Sequence, residues 1–284
     1  MFYLLNKSKG ESSFSSIRKF SKKINAKKVG HTGTLDPLAT GLLLVATEDD
    51  TKLIQFICHE DKTYRTLIQF GQQTDTFDSE GTVINTSKYK INDHDINKIK
   101  SWLENQKFQI PPIYSAKKIN GVKSYDLARK GKEVSLKPQE IKIIDSKIIE
   151  FNYESQTLWL ELKVSKGTYI RSIVNDLGIF LNSYAYMKEL VRTAIGNLSL
   201  DNLEENEYTK IDSKMLFNIP FFEPNEKQTK DLINGKIIKN DKGLLNGDYL
   251  LINKKIIWGI ITIKNEHIKV RKIFGSKIKE LKYG

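Results

Sequence analysis

Between Leu158 and Val164 every second residue is aliphatic, and Tyr64, Thr66, Ile68 and Phe70 alternate in the same way with Arg65, Leu67 and Gln69. A period of two sends successive side chains to opposite faces of a strand, so both runs require a sheet with one face in a core. The run Ile141–Phe151 is the natural partner of the first, and the apolar stretches Met1–Leu5 and Leu42–Ala46 read as further strands. Helical spacing interrupts this pattern four times. Ser12 and Ser13 can cap Phe14, Ile17, Phe20 and Ile24; Thr47–Ile57 places Leu53, Ile54 and Ile57 on one side; Asp93 can cap Ile96, Ile99, Trp102 and Leu103; and Thr168 opens a helix carrying Ile170, Ile173, Val174, Leu177 and Leu181. The mixture predicts an α+β fold with a mixed, largely antiparallel central sheet and flanking helices.

The polar stretch Asn202–Lys214 leads toward a boundary. Beyond Pro220 and Pro224 a short helix (Gln228–Asn234) and strand-like runs at Tyr249–Ile252, Ile256–Ile263 and Ile268–Phe274 predict a small β-rich domain over 223–284, after a larger domain over 1–222. Residues 225–284 carry eight of the chain's twelve net positive charges. That concentration suits a nucleic-acid docking surface, where each neutralised phosphate releases counterions, and it equally suits a solvated lysine-rich face. Met1–Leu5 is too short for a signal peptide or membrane span, so a soluble cytoplasmic protein is expected. Cys58 is the single cysteine, which excludes an intramolecular disulfide and a cysteine-cluster metal site. Cys58-His59-Glu60-Asp61 cannot easily converge on one ion, and His94 and His267 lack evident partners, so no metal is expected.

Chemistry is best sought in the segment Gly30-His31-Thr32-Gly33-Thr34-Leu35-Asp36-Pro37-Leu38-Ala39-Thr40-Gly41. Its glycines permit close approach of a ligand, and Pro37 holds Asp36 extended. The Gly-Lys-Ser/Thr ending of a P-loop is missing. By residue type alone, an aspartate in such a loop reads first as an Asx-turn or a cap. Lys62-Thr63-Tyr64-Arg65 sets an aromatic between cations, able to stack a base or to sit in a sheet core. In Lys166-Gly167-Thr168-Tyr169-Ile170-Arg171 the arginine lies beside an apolar helix stripe, either exposed or buried against a carboxylate or phosphate. The polar loop Gly71–Gly81 holds Asp75 and Asp78 among its turn-formers, Pro111-Pro112 forces extended backbone, and Asn120-Gly121 favours a hairpin. Lys117-Lys118 and Arg129-Lys130 read as solvated charge.

Five blocks in order, Gly30–Leu44, Lys62–Arg65, Gly71–Thr76, Pro111–Ala116 and Lys166–Arg171, resemble the TruB family of tRNA pseudouridine synthases. The resemblance spans most of residues 1–195, and the last sixty residues resemble more weakly a shortened PUA-type RNA-binding domain. It implies the pseudouridine synthase fold and isomerisation of a flipped T-loop uridine (position 55) in tRNA. It also implies no cofactor, no guide RNA, a monomer, and the tRNA T-arm as partner. Residue by residue, it implies Asp36 as the catalytic aspartate, nucleophile or base, and Tyr64 as the platform that stacks on the target base. Arg171 is implied as the partner of the catalytic carboxylate, expected to keep Asp36 ionised. His31 is implied in the RNA loop near the vacated space, Asp75 among the contacts that organise the closed complex, and Tyr169 in the substrate-binding set. One departure is visible: the family commonly has Lys-Pro-x-Gly where this chain has Lys7-Ser8-Lys9-Gly10, a less rigid turn that leaves Lys7 without an assigned role. An RNA-folding chaperone and a guide-dependent enzyme are the alternative readings.

Overall fold

The computed structural model describes residues 1–57, 61–115, 117–119, 121–128, 135–253 and 256–283. Cys58, His59, Glu60, Ala116, Asn120, Arg129 and Lys130 therefore lie outside the described residues. Strand β1 (Phe2–Lys7) leads to helix α1 (Ser13–Lys23), capped by Ser12, whose Oγ accepts from Ser15 N. Strands β2 (Val29–His31) and β3 (Thr40–Thr47) frame the glycine-rich loop. There follow β4 (Lys62–Phe70), the hairpin β5 (Gln72–Thr74) and β6 (Val83–Thr86), helix α2 (Asp93–Glu104), and the pair β7 (Ile143–Asn152) and β8 (Thr157–Val164). Helix α3 (Ile170–Phe180), β9 (Ala185–Ile195) and β10 (Tyr208–Ile211) complete this part.

The main sheet runs β7-β8-β4-β9-β3-β1-β10, with β2 on β3 and the short strand Leu198–Ser199 on β9. All its pairings are antiparallel except β9 with β3. Register aligns the chemically interesting residues: Tyr64 lies opposite Leu162 on one side and Arg192 on the other, and Arg192 in turn lies opposite Gly41. The outer strand β7 carries bulges at Ile144 and Ile149, which break its free edge as a template for further pairing.

Both faces of the sheet are covered where β1 and β3 meet. Tyr3, Leu5, Leu43 and Val45 join the core that holds Ile99, Leu103, Ile173 and Leu177 of α2 and α3. Phe2, Leu4, Leu42, Leu44 and Ala46 point the other way. Burial on both faces explains why these segments read as continuous apolar runs while β4 and β8 alternate.

That second face is covered by the C-terminal part. Strand β11 (Phe221–Phe222), helix α4 (Glu226–Ile233), β12 (Ile238–Lys239), β13 (Gly247–Asn253), β14 (Ile256–Lys264), β15 (His267–Ile273) and helix α5 (Gly275–Tyr283) form a sheet in the order β11-β13-β14-β15-β12 with its helices. One side encloses Phe222, Leu232, Leu251, Trp258 and Ile261. The other presents Leu250, Ile257, Ile260 and Phe274 to Phe2, Leu4 and Leu44.

Several local expectations change. Glu48–Phe56 is a 3-10 helix, because Glu48 has φ 50° and Thr51 Oγ1 bonds back to its carbonyl at 2.7 Å. Asn92, not Asp93, caps α2, with Asp95 closing a capping box. Tyr169 rather than Thr168 stands at the start of α3. Residues 72–74 of the polar loop form a strand, and residues 208–211 pair with β1 inside the stretch read as a boundary. Phe14 has helical spacing yet is 74% exposed in the first turn of α1. Among the described residues no helix is long and apolar enough to cross a membrane.

Candidate active site

The loop between β2 and β3 is anchored from four directions, mostly through its main chain. Lys7, fully buried, donates from Nζ to the carbonyls of Ala39 (2.5 Å), Ser8 (2.8 Å) and Pro37 (3.2 Å). Gly10 N donates to the Pro37 carbonyl at 2.9 Å. Ser13 Oγ donates to the Leu35 carbonyl (2.9 Å) and accepts from Leu35 N (2.8 Å). Arg192, 1% exposed on β9, donates from Nε to the Leu42 carbonyl (2.7 Å) and from Nη2 to the Gly33 carbonyl (3.1 Å), so one guanidinium joins both ends of the loop. With Leu35, Leu38 and Ala39 buried beneath, the backbone around Asp36 has little freedom.

Gly41 shows how tight this closure is. Its φ is +104°, and a Cβ there would lie 2.4 Å from the Arg192 carbonyl oxygen. Gly41→Ala is expected to destabilise the fold by roughly 1–3 kcal/mol through overpacking, with backbone strain added, and so to lower the melting temperature. Thermal unfolding of the variant checks it; an unchanged midpoint would mean that β3 and β9 can part without loss.

The charged centre is a carboxylate–arginine–carboxylate row. Arg171 is the second residue of α3, and helical side chains lean toward the helix N-terminus, which aims it at the loops above. Its Nε lies 3.0 Å from Asp36 Oδ2 and its Nη1 lies 3.3 Å from Asp78 Oδ2. The same guanidinium donates to the carbonyls of Thr76 (3.2 Å) and Tyr114 (3.0 Å). Asp78 is held in turn by Thr76 Oγ1 (2.6 Å) and Glu80 N (3.1 Å), on a segment whose backbone bonds Met187 of β9. The side chains of Arg171 and Asp78 are 6% and 5% exposed, whereas that of Asp36 is 37% exposed. Of the three, Asp36 is the group a substrate can reach.

Burial pushes the Asp36 carboxyl above its ordinary value of 3.8; Arg171 opposes this, Asp78 adds to it, and Lys7 opposes it more weakly. The expected ion pair is present, but desolvation outweighs it, so the charge on Asp36 is held less firmly than the pair alone would give. Burial also lowers Lys7 to about 8 and lowers His31 below its ordinary 6.5.

The other sequence candidates take different places. Tyr64 is 8% exposed in the core of β4, beside Leu35 and Leu38 in the same apolar cluster. His31, half-buried at the end of β2, accepts from Gly33 N through Nδ1 at 3.2 Å. Tyr169 is half-buried, and its main chain is held in two bonds by the Gln109 amide (2.7 and 3.2 Å). Asp75 accepts from Thr82 N at 2.8 Å and so closes the turn that carries Asp78; it is Asp78, not Asp75, that meets Arg171. Sequence reasoning passed over Asp78 as a turn-former, gave Lys7 no role and did not single out Arg192. A second acidic residue three positions after Asp75 was the one available signal for Asp78. Among the described residues no group of three or more His, Cys, Asp or Glu could hold a metal ion.

A family profile described as TruB family pseudouridylate synthase, N-terminal domain, matches residues 21–170. The tRNA pseudouridine synthase B of Mycoplasma mobile is 41% identical over 285 residues, covering 99% of this chain and 97% of that protein. That of Aquifex aeolicus is 36% identical over 249 residues, covering 84% and 87%. Among solved structures, the fold resembles a chain of a Cbf5-Nop10-Gar1 complex with a TM-score of 0.66, at 19% identity, over 96% of this chain and 84% of that one.

Proposed function

Because the chain belongs to the TruB family of pseudouridylate synthases, we propose that it converts the T-loop uridine at position 55 of tRNA to pseudouridine, with Asp36 as the catalytic carboxylate. The observation that carries this reading is the row Asp36–Arg171–Asp78, in which the outermost carboxylate alone is open and stands on a loop fixed from four sides. The reaction breaks the N1–C1′ bond, turns the uracil and joins C5 to C1′; the proton lost from C5 is balanced by one gained at N1, so substrate and product are isomers. Nothing is oxidised and no group is exchanged, which is why a cofactor is not needed. What is needed is a fixed charge at the ribose and a surface that retains the free base.

In this reading Asp36 acts on the ribose, as nucleophile at C1′ or as base. Arg171 orients Asp36 and balances its charge against Asp78. Tyr64 forms the floor under the base, and His31, kept neutral by burial, faces the RNA at the entrance. Tyr169 and the turn closed by Asp75 frame the opposite side. Extruding the nucleotide costs on the order of a few kcal/mol, offset by contacts to the vacated loop. The basic C-terminal part over 223–284 supplies phosphate contacts that carry affinity rather than sequence. No guide RNA is required, and the protein acts as a monomer in the cytoplasm. Purified protein with unmodified tRNA transcript, and no other RNA, is expected to produce pseudouridine at that one T-loop position on nucleotide-resolution mapping. Product only in the presence of a guide, or at other positions, would sink the reading.

Two of the shifted groups, Asp36 and Lys7, set a pH profile. Asp36 must lose its proton to act, so the acid limb of kcat/KM lies above the ordinary aspartate value, and Asp78→Asn, by removing a neighbouring negative charge, moves that limb to lower pH. Lys7 loses its proton near 8, leaving a neutral amine with fewer N–H groups for three carbonyls, and kcat declines on that side. Lys7→Met is expected to be slower at every pH and to lack the alkaline decline. Single-turnover rates across pH 5 to 10 measure both limbs.

A further inference from the structure

We propose that the outer face of α1 is a docking surface for phosphodiester backbone of the substrate RNA lying outside the segment that enters the Asp36 site. The proposal rests on the reading of the chain as an RNA-modifying enzyme. From Ser12 to Leu35 the chain contains six cations and no acid. Arg18, Lys19, Lys22, Lys23, Lys27 and Lys28 are all exposed. The opposite side of the helix is seated in the core: Ile17 and Phe20 are buried, and the Phe20 ring meets Tyr3 and Tyr208 edge-on. Two carboxylates reach the segment from outside it. Glu11 pairs with Lys19, and Glu48 accepts from the backbone N–H groups of Lys27 (2.7 Å) and Lys28 (3.4 Å). Arg18, Lys22 and Lys23 have no carboxylate within ion-pair distance among the described residues.

A lysine-rich composition does not by itself produce such a face. Helix α2, of similar length, interleaves Lys98 and Lys100 with Asp93, Asp95 and Glu104. On α1 the cations are instead accompanied by an aromatic ring: Phe14, one helical turn before Arg18, is 74% exposed. A π-face next to unpaired cations is the combination that stacks a base while phosphates are neutralised. The position of the helix fits the same occupant. Its first residue, Ser13, is bonded in both directions to Leu35, next to Asp36, and the chain returns through β2 to His31 in the same loop. An 11-residue helix is about 16 Å long, so its cations stand within roughly that distance of the catalytic loop. RNA flanking a nucleotide held at Asp36 passes through this radius.

The test compares two substrates and two variants. Full-length tRNA transcript and the isolated T-arm hairpin are assayed with wild type, with Arg18→Gln/Lys22→Gln/Lys23→Gln, and with Phe14→Ala, over a range of salt. The triple variant is expected to raise KM for full-length tRNA about tenfold at low salt, and to flatten the slope of log(kcat/KM) against log[salt] by about two, since each phosphate contact contributes about 0.7. Its kcat on the hairpin stays within about twofold of wild type, because the Asp36 site is intact. Phe14→Ala raises KM for full-length tRNA and leaves the slope unchanged, which separates stacking from charge. Wild-type KM and slope in the triple variant would overturn the proposal. So would loss of binding to anionic phosphatidylglycerol vesicles with unchanged tRNA kinetics, which would assign the face to a membrane. If wild type makes no pseudouridine in either RNA, the catalytic reading fails, while anisotropy-measured tRNA binding by wild type and triple variant still decides the surface.

Discussion

Asp36→Asn is expected to fold, to bind RNA within a few-fold of wild type and to lose at least about four orders of magnitude in kcat. Asparagine keeps the shape of the side chain and removes the charge that the proposed ribose chemistry requires. Folding survives because the loop is held by the carbonyls of Gly33, Leu35, Pro37, Ala39 and Leu42, none of which involves the Asp36 carboxylate. Arg171 keeps Asp78 as an ionic partner. Since burial already disfavours the Asp36 charge, the variant should melt no lower than wild type. Release of tritium from C5-labelled uridine in T-arm RNA, beside a melting curve, separates the two effects. Wild-type release would remove Asp36 from the mechanism, and a collapsed melt would make it a structural residue.

Arg171 should behave in the opposite way, losing both activity and stability. Its guanidinium serves two carboxylates and two carbonyls, an arrangement that only a planar fork can satisfy. Arg171→Met leaves Asp78, 5% exposed, without its counter-charge, and losing one partner of a buried pair destabilises by about 3–5 kcal/mol. Asp36 also loses the main influence holding its pKa down, so kcat should fall by about two orders of magnitude or more at neutral pH. Arg171→Lys restores the charge without the fork and should regain part of the stability but little of the rate. The double variant Arg171→Met/Asp78→Asn removes the orphaned charge; its melting temperature should recover toward wild type while its activity stays low. Parallel recovery of both would show that Arg171 acts through folding alone.

The contrast between these residues follows how each was legible in the sequence. By residue type alone Asp36 read as a turn or cap, and its catalytic reading came from the resemblance carried by the ordered blocks, Gly30–Leu44 first among them. Arg171 was half legible: its helix position left it either exposed or paired with an anion, the resemblance implied Asp36 as that partner, and the second partner depends on how the hairpin loop folds over α3. Asp78 was hidden for that reason. Its neighbours Thr76 and Ser79 gave it the look of a turn, and the backbone bonds that seat its segment run to Met187, more than a hundred residues away. Lys7 and Arg192 were obscured similarly, since a lysine in a strand end and an arginine in a strand ordinarily face solvent, and here both are fully buried against loop carbonyls. The strands were read well where one face is wet, as in β4 and β8. The 3-10 segment at 48–56 was misread because apolar spacing cannot report the positive φ of Glu48.

The covering of β1 has a consequence for the order in which the molecule forms. This strand lies between β3 and β10, and its outward face is closed by residues near 250–274. A strand made among the first residues therefore waits for partners made some two hundred positions later. Such long-range closure slows folding and leaves apolar edges open in the meantime. During synthesis, Phe2, Leu4, Leu42 and Leu44 form a transient sticky surface, so the yield of native protein should depend on elongation rate and on chaperone supply well before any catalytic property does.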